Sequence, residues 1–435
     1  CVPSKHLLAV AESGAAASEN PFDAVRYPEE PTVDWADALD GTDELVDRFR
    51  QENYVDVAEH FETDIYEGYG QLVDDTTIEV VDGADEGARI TGEKALVATG
   101  SSPWAPPIDG LDDIDYYTSE TILEERDLPE SIVMLGGGYI ALEWGQILHR
   151  VGVDVTVLQR SGHVLSDMEG QLGREMQRAF NEEGIDVVTS NDFQQVQDVA
   201  TDSGADPGQK GVAVETVIEG EERAFTAEAL FVATGVQPNS EDIGLEAVGV
   251  ETESDRAIRV DEHFQTTNSD IYAAGDVIGE PELETVAAKE GNHAVKNAFG
   301  DEGVSIDYDA VPAVVFTSPE VAAVGTTELE YMDEHGTCSC RTVQMADVPR
   351  AKAVENTDGL VQVVKHHETD EIVGVHMVGP RAADMIMEAT LAVRFGLTVD
   401  DIIDTVHPFP TFSEAFKHAC QAFRRDTSTM SCCIE

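Results

Sequence analysis

The chain has 435 residues and carries 26 Lys+Arg against 87 Asp+Glu, a formal net charge of −61 at pH 7. That length is more than one hydrophobic core usually supports, so about two to four domains are expected. The acidic excess runs along the whole sequence, which excludes a nucleic-acid backbone as partner, and the lack of any apolar run of about 18 residues excludes a membrane-spanning helix.

The first residues, CVPSKHLL, open on cysteine and read as the interior of a longer natural chain. Residues 31–62 are rich in Asp and Glu, with Leu45, Phe49, Val55 and Phe61 in a helical rhythm that predicts one or two surface helices. Residues 86–99 predict strands ending in ALVATGSSP. The apolar run SIVML at 131–135 predicts a strand that leads directly into GGGYIALEWGQILHRVG. There Ile140, Trp144, Ile147, Leu148 and Val151 recur at helical spacing, and VDVTVL then alternates as a strand. Strand, glycine turn, helix and strand in that order make a parallel βαβ unit. Residues 200–227 hold TDSGADPGQKG and an EGEER turn, which predict an antiparallel excursion. A second VATG ending, at Gly235, and SDIYAAGDV at 269–277 hint at two related nucleotide-binding halves. From about residue 306, VPAVVFTSPEVAAVG, LVQVVKHHETDEIVGVHMVG and ADMIMEATLAVRFG predict a mixed sheet with helices, and a boundary near Asp307.

Gly136-Gly137-Gly138-Tyr139-Ile140-Ala141 fits G-x-G-x-x-A. Gly136 and Gly138 allow a tight turn and let backbone N–H groups approach a pyrophosphate at a helix N-terminus, with Ala141 closing the motif. Such a turn can serve packing alone, but its place between a strand and an amphipathic helix points to a dinucleotide. At the end of the second strand, where a carboxylate would accept the ribose hydroxyls of NAD, stands Gln159-Arg160. No carboxylate there opposes a 2′-phosphate and Arg160 can pair with one, so NADPH is expected over NADH.

The six cysteines are Cys1, Cys338, Cys340, Cys420, Cys432 and Cys433. Their spacing does not suggest a secreted disulfide framework. Cys432 and Cys433 are adjacent and would close only a strained ring, so reactive or metal-binding thiols fit better than a structural disulfide.

CVPSK, VATGSSP, GGGYIALE, VATGVQPN, SDIYAAGDV and the terminal SCC, taken in order, resemble the flavin-dependent pyridine nucleotide–disulfide oxidoreductases, class I, and within them the mercuric reductase family. The resemblance covers essentially the whole chain. It implies an α/β fold with two Rossmann-like nucleotide-binding domains, for FAD and NADPH, and a C-terminal α+β dimerisation domain. On that pattern, residues 1–125 belong to the FAD-binding domain, 126–240 to the NADPH-binding domain, 241–306 to a return into the FAD and central region, and 307–435 to the dimerisation domain with its Cys-Cys tail.

The resemblance also implies roles. CVPSK is similar to the second half of a C-x-x-x-x-C-x-P-S-K redox motif, so Cys1 matches the thiol that makes a charge-transfer contact with the flavin. Its partner thiol and the first FAD fingerprint would lie upstream, and dithiol-dependent turnover is expected to need that upstream segment. A thiolate near the positive end of a helix becomes nucleophilic. Lys5 resembles the lysine beside the flavin, Glu143 the glutamate that pairs with it, and Tyr139 the tyrosine that covers the nicotinamide pocket. A solvated lysine and an aromatic packed against the sheet are the plainer readings of Lys5 and Tyr139. Asp276, with Gly275 before it, resembles the aspartate that bonds the flavin ribityl chain, and Thr99 and Gly100 resemble a second flavin-side contact.

The family's disulfide reductases carry a proton-relaying histidine and a glutamate as H-P-T-x-S-E near the C-terminus. Here the stretch is HPFPTFSE, with Glu414 in place and Phe409 at the histidine position. His407 lies two residues further upstream and reads as structural. That departure argues against a disulfide substrate. Hg(II) prefers soft thiolates, and Cys432, Cys433 and Cys1 are the expected metal-binding thiols.

The expectation is therefore a cytoplasmic FAD- and NADPH-dependent reductase of Hg(II) to Hg(0). The resemblance implies a homodimer whose subunits share active sites. The acidic shell suits a halophilic source, where salt screens self-repulsion. Two other readings stand: a dihydrolipoamide dehydrogenase or related flavin disulfide reductase, and a non-enzymatic thiol-based mercury-binding protein.

Overall fold

The computed structural model describes the chain apart from residues 19, 23, 26, 28–30, 202–208, 301–302, 338 and 426–435. The described chain forms two compact units. One comprises Cys1, 43–104 and 235–307; the other comprises 2–42, 105–234 and 308–435.

The larger unit holds the βαβ element. Ser131–Leu135 pairs in parallel with Asp154–Leu158 and with Ala229–Val232, and Asp186–Val188 completes a four-stranded sheet. The helix Tyr139–Arg150 packs on it with Ala141, Leu142, Ile147 and Leu148 wholly buried. Burial of each large apolar side chain contributes about 1.5–3 kcal/mol, and that contribution fixes the helix on the strand ends. Gly145 permits the close approach: an added Cβ would meet the Met134 sulfur at 3.3 Å.

The antiparallel excursion is a three-stranded sheet with Gln209–Ile218 between Asp192–Thr201 and Glu221–Ala227. Its EGEER turn has Glu219 and Gly220 at φ of 53° and 84°, the two positive values of a tight hairpin turn. Beyond residue 308 comes a five-stranded antiparallel sheet ordered Ala313–Val315, Glu320–Gly325, Ile372–Gly379, Leu360–Lys365 and Cys340–Gln344. The helices Ala382–Phe395 and Glu414–Gln421 share a core with it through Ile386, Ala389, Phe416 and Cys420.

The smaller unit is built on short strands. Ala95–Val97 pairs in parallel with Ile271–Ala273, and Ser101–Pro103 pairs with Val236–Pro238. Its core gathers Leu72, Val97, Leu245, Ile258, Ile271 and Val277. The acidic 31–62 stretch becomes the helix Trp35–Arg50, a π-helical turn Gln51–Val55 and the helix Asp56–His60.

Candidate functional site

The glycine turn is shaped by what surrounds it. Gly136 has φ of 110°, and an added Cβ would lie 2.2 Å from the Ala233 carbonyl oxygen, so only glycine fits. Gly137 packs on the Gln159 side chain, while the space about Gly138 is open. Gly138 starts the helix Tyr139–Arg150 with no side-chain cap. The N–H groups of a first helical turn have no intrahelical partner, and a helix start of this kind suits a pyrophosphate. Gln159 is buried and its Oε1 accepts the Arg160 N–H at 3.0 Å. Arg160 is exposed, and no carboxylate pairs with it among the described residues.

One turn into that helix, Glu143 is 3% exposed. Its Oε2 accepts the Lys5 ammonium from the helix Val2–Ser18, and its Oε1 accepts the Phe316 N–H at 3.0 Å. A carboxylate so far from water is stable only with such partners. Sequence positions 5 and 143 are thereby brought into direct contact. Tyr139, at the first helical position, is 40% exposed.

In the smaller unit the strand Ile271–Ala273 ends in a sharp turn. Gly275 has φ of 77° and donates its N–H to Glu290 at 2.7 Å. Asp276 follows, and its Oδ2 accepts the Ser101 hydroxyl at 2.7 Å. The remaining carboxylate lone pairs can accept ligand hydroxyls. Gly100 has φ of 70° with no atom near an added Cβ, and Gly235 is equally open. The Thr99 hydroxyl is used internally, donating to the Asn239 carbonyl at 2.7 Å. Open glycine backbone beside a carboxylate acceptor fits the polyol and phosphate chemistry of a flavin nucleotide.

Glu282 was not singled out by the sequence reading. It lines a cavity of about 710 Å³ with Trp104, Val236, Pro238 and Ile278. Burial first, then the Asp276 and Glu280 charges, push its carboxyl up to about 7. The only local signal was the close run of carboxylates after Asp276.

Glu414 opens the helix Glu414–Gln421, is 7% exposed and accepts the Thr411 N–H at 3.2 Å. Burial raises its pKa. Phe409 is exposed. His407 has both ring nitrogens engaged, one with the Thr405 carbonyl at 2.9 Å and one with Glu388 at 2.8 Å, and the Glu388 bond raises its pKa. Cys1 is exposed just ahead of the first helix, Cys340 starts a strand, and Cys420 is wholly buried. Cys338, Cys432 and Cys433 lie outside the described residues.

The family profile described as pyridine nucleotide-disulphide oxidoreductase matches residues 1–291, and that family's dimerisation domain matches residues 311–420. The chain belongs to the pyridine nucleotide-disulphide oxidoreductases. It is an oxidoreductase of mixed α/β fold whose family implies FAD and a nicotinamide nucleotide. Within the family it is similar to mercuric reductases. One, from Staphylococcus aureus, is 35% identical over 100% of this chain and 76% of its own length. Another, from Streptomyces lividans, is 38% identical over 100% of this chain and 89% of its own. A dihydrolipoyl dehydrogenase from Bacillus subtilis is 32% identical over 97% of this chain and 89% of its own. Among solved structures, LpdA from Mycobacterium tuberculosis superposes with a TM-score of 0.83 at 26% identity, covering 97% of this chain and 90% of that one.

Proposed function

We propose that the chain reduces Hg(II) to Hg(0) with NADPH and FAD. The observation that carries this choice within the family lies at His407 and Phe409. A disulfide reductase needs a histidine free to take and return a proton. Phe409 occupies that position, and both nitrogens of the neighbouring His407 are engaged within the chain. A metal ion needs no such relay, only soft ligands. The full-length similarity to mercuric reductases supports the same choice.

The nicotinamide nucleotide and the flavin supply hydride and electron transfer, and one hydride carries the electron pair that Hg(II) takes up. Gly136, Gly138 and Ala141 would hold the pyrophosphate of NADPH and Arg160 its 2′-phosphate, while Gly235 would approach the flavin nucleotide. Tyr139 would cover the nicotinamide. Thr99, Gly100, Gly275 and Asp276 would hold the flavin nucleotide, with Lys5 and Glu143 as a charge pair tuning its electronics. Cys1 would be the flavin-side thiol, Glu414 an active-site carboxylate, and Cys432 and Cys433 the thiols that collect Hg(II) and pass it on by thiolate exchange.

A homodimer belongs to this reading. The match to the dimerisation domain supports it, as do Met387, Leu391 and Phe395, which form an exposed apolar stripe at four-residue spacing on the helix Ala382–Phe395. A cytoplasmic, high-salt setting fits the charge of −61.

The test is NADPH oxidation by the flavin-loaded full natural protein, with thiol-complexed Hg(II) in one assay and lipoamide in another. Turnover with Hg(II), much reduced in a Cys432→Ala, Cys433→Ala double variant at low thiol, is the expected result. Turnover with lipoamide but not Hg(II) makes the chain a dihydrolipoyl dehydrogenase. A folded preparation without flavin absorbance overturns the enzymatic reading.

A further inference from the structure

The roles proposed above leave Phe316 unused, yet it is tied to Lys5 and Glu143 by both its backbone and its ring. Its N–H donates to Oε1 of Glu143 at 3.0 Å, while Oε2 of the same carboxylate takes the Lys5 ammonium. Its ring centroid lies 5.0 Å from Lys5 Nζ. The residue remains 43% exposed.

The segment that carries Phe316 is fixed from the same helix. Gln146 stands one turn after Glu143 and is wholly buried. Its Oε1 accepts the Ser318 N–H at 2.8 Å and its Nε2 donates to the Ser318 carbonyl at 2.8 Å. Residues three apart on a helix share a face, so Glu143 and Gln146 hold the backbone of 316–318 much as a neighbouring strand would. Thr317 is buried and its hydroxyl donates to the Pro319 carbonyl at 2.8 Å. The ring position is thus set by backbone that cannot shift without breaking these bonds.

We infer that Phe316 is a positioning residue, whose ring and N–H hold the Lys5 ammonium and the Glu143 carboxylate in one geometry. A lysine stem has several rotatable bonds, and one ion pair leaves it room to swing. The negative face of an aromatic ring supplies a second attraction from another direction. An ammonium held from both sides presents a fixed charge. The inference rests on the proposed role of Lys5 as the charge that tunes the flavin.

The test uses the flavin-loaded full natural protein and three single variants, Phe316→Leu, Phe316→Tyr and Lys5→Met. The readouts are the visible flavin spectrum, the flavin midpoint potential and the single-turnover rate of flavin reduction by NADPH. Lys5→Met is expected to move all three. Phe316→Leu is expected to move them in the same direction and to slow reduction about fivefold, within the range of a cation–π contact, while Phe316→Tyr stays near wild type. If Lys5→Met moves the readouts and Phe316→Leu does not, the role of Phe316 is overturned and that of Lys5 stands. If Lys5→Met moves none of them, the proposed role of Lys5 fails and this inference with it. Phe316→Tyr as slow as Phe316→Leu also overturns it, because then shape and not the aromatic face matters. Should Phe316→Leu not fold, Phe316→Trp replaces it: a stronger ring face is expected to shift the spectrum in the opposite sense, and an unshifted spectrum overturns the inference.

Discussion

The Lys5 ammonium, on the first helix, is paired with Glu143, a carboxylate 3% exposed on the helix that follows the glycine turn. The two partners are unequal: Lys5 keeps 31% of its side-chain exposure. Removing the lysine strands a buried charge, whereas removing the carboxylate frees an ammonium that water can solvate. Lys5→Met is therefore expected to lower stability by about 2–3 kcal/mol, and Lys5→Met with Glu143→Gln by less than the single change. Chemical denaturation of the three proteins checks this. A double variant no more stable than Lys5→Met would show that the stranded charge is not the cause.

Gly136 and Gly138 belong to one motif but should fail differently. At Gly136 the backbone has φ of 110° and the Ala233 oxygen fills the place of a Cβ, so Gly136→Ala is expected to cost several kcal/mol, about 3 or more, of stability. At Gly138 nothing lies near an added Cβ, so Gly138→Ala should fold normally. What it loses is the close approach of ligand to backbone, and its Kd for the nicotinamide nucleotide should rise about tenfold or more. Melting curves and fluorescence titration separate the two outcomes. Equal melting losses in both variants would contradict this account.

How much of this was legible in the sequence depended on distance along the chain. The turn and its helix were readable because period and glycine spacing are local, and the hairpin at Glu219–Gly220 announced itself the same way. The Lys5–Glu143 contact was readable only through resemblance, since nothing in either segment points to the other. Gln146 and Phe316 were not readable. Gln146 stands opposite the face that the apolar periodicity assigns to packing, where a solvated side chain is expected, and its partner Ser318 lies 172 positions away. The smaller unit was the hardest to foresee, because it is assembled from separate stretches, and the strands that join them, Ala95–Val97 with Ile271–Ala273 and Ser101–Pro103 with Val236–Pro238, are three residues long. Such strands carry too little alternation to be read.

Glu282 makes a pH prediction with a definite sign. Its folded pKa, about 7, stands above the 4.5 of an ordinary glutamate, so the folded state holds a proton that the unfolded state releases. Its stabilising contribution is full below about 4.5 and fades as pH rises through about 7. Stability of the wild type should fall across that window relative to Glu282→Gln, by an amount kept under about 2 kcal/mol because the group is only half buried and partly screened. Denaturation midpoints of both proteins at several pH values test it. Parallel curves from pH 4.5 to 8 would remove Glu282 as the source.

Cys420 should be chemically silent in the native protein. It is wholly buried in the helix Glu414–Gln421, and that burial pushes its thiol far above the ordinary range. The thiolate is the reactive form. Alkylation followed by peptide mapping is expected to label Cys1 quickly and Cys420 only after unfolding. Rapid labelling of Cys420 in the folded state would mean that the helix opens locally.

Salt acts on this chain through two opposed effects, and their sizes decide the outcome. Exposed ion pairs such as Arg259–Glu253 and Arg256–Glu241 weaken as salt screens them, but each contributes only about 0–1 kcal/mol. Against them stands the mutual repulsion of carboxylates, 87 acidic residues facing 26 basic ones. Most carboxylates can have no cationic partner, and folding brings them closer together than in the unfolded chain. The screening length falls from about 10 Å at 0.1 M to about 3 Å at 1 M, below the usual spacing of surface charges. Repulsion should therefore be relieved more than attraction is lost, and the melting temperature should climb steadily from about 0.1 to 2 M KCl. Sucrose at matched water activity, which screens no charge, should produce a smaller rise. A melting temperature that stays level or drops in KCl would mean that the surface pairs outweigh the acidic shell.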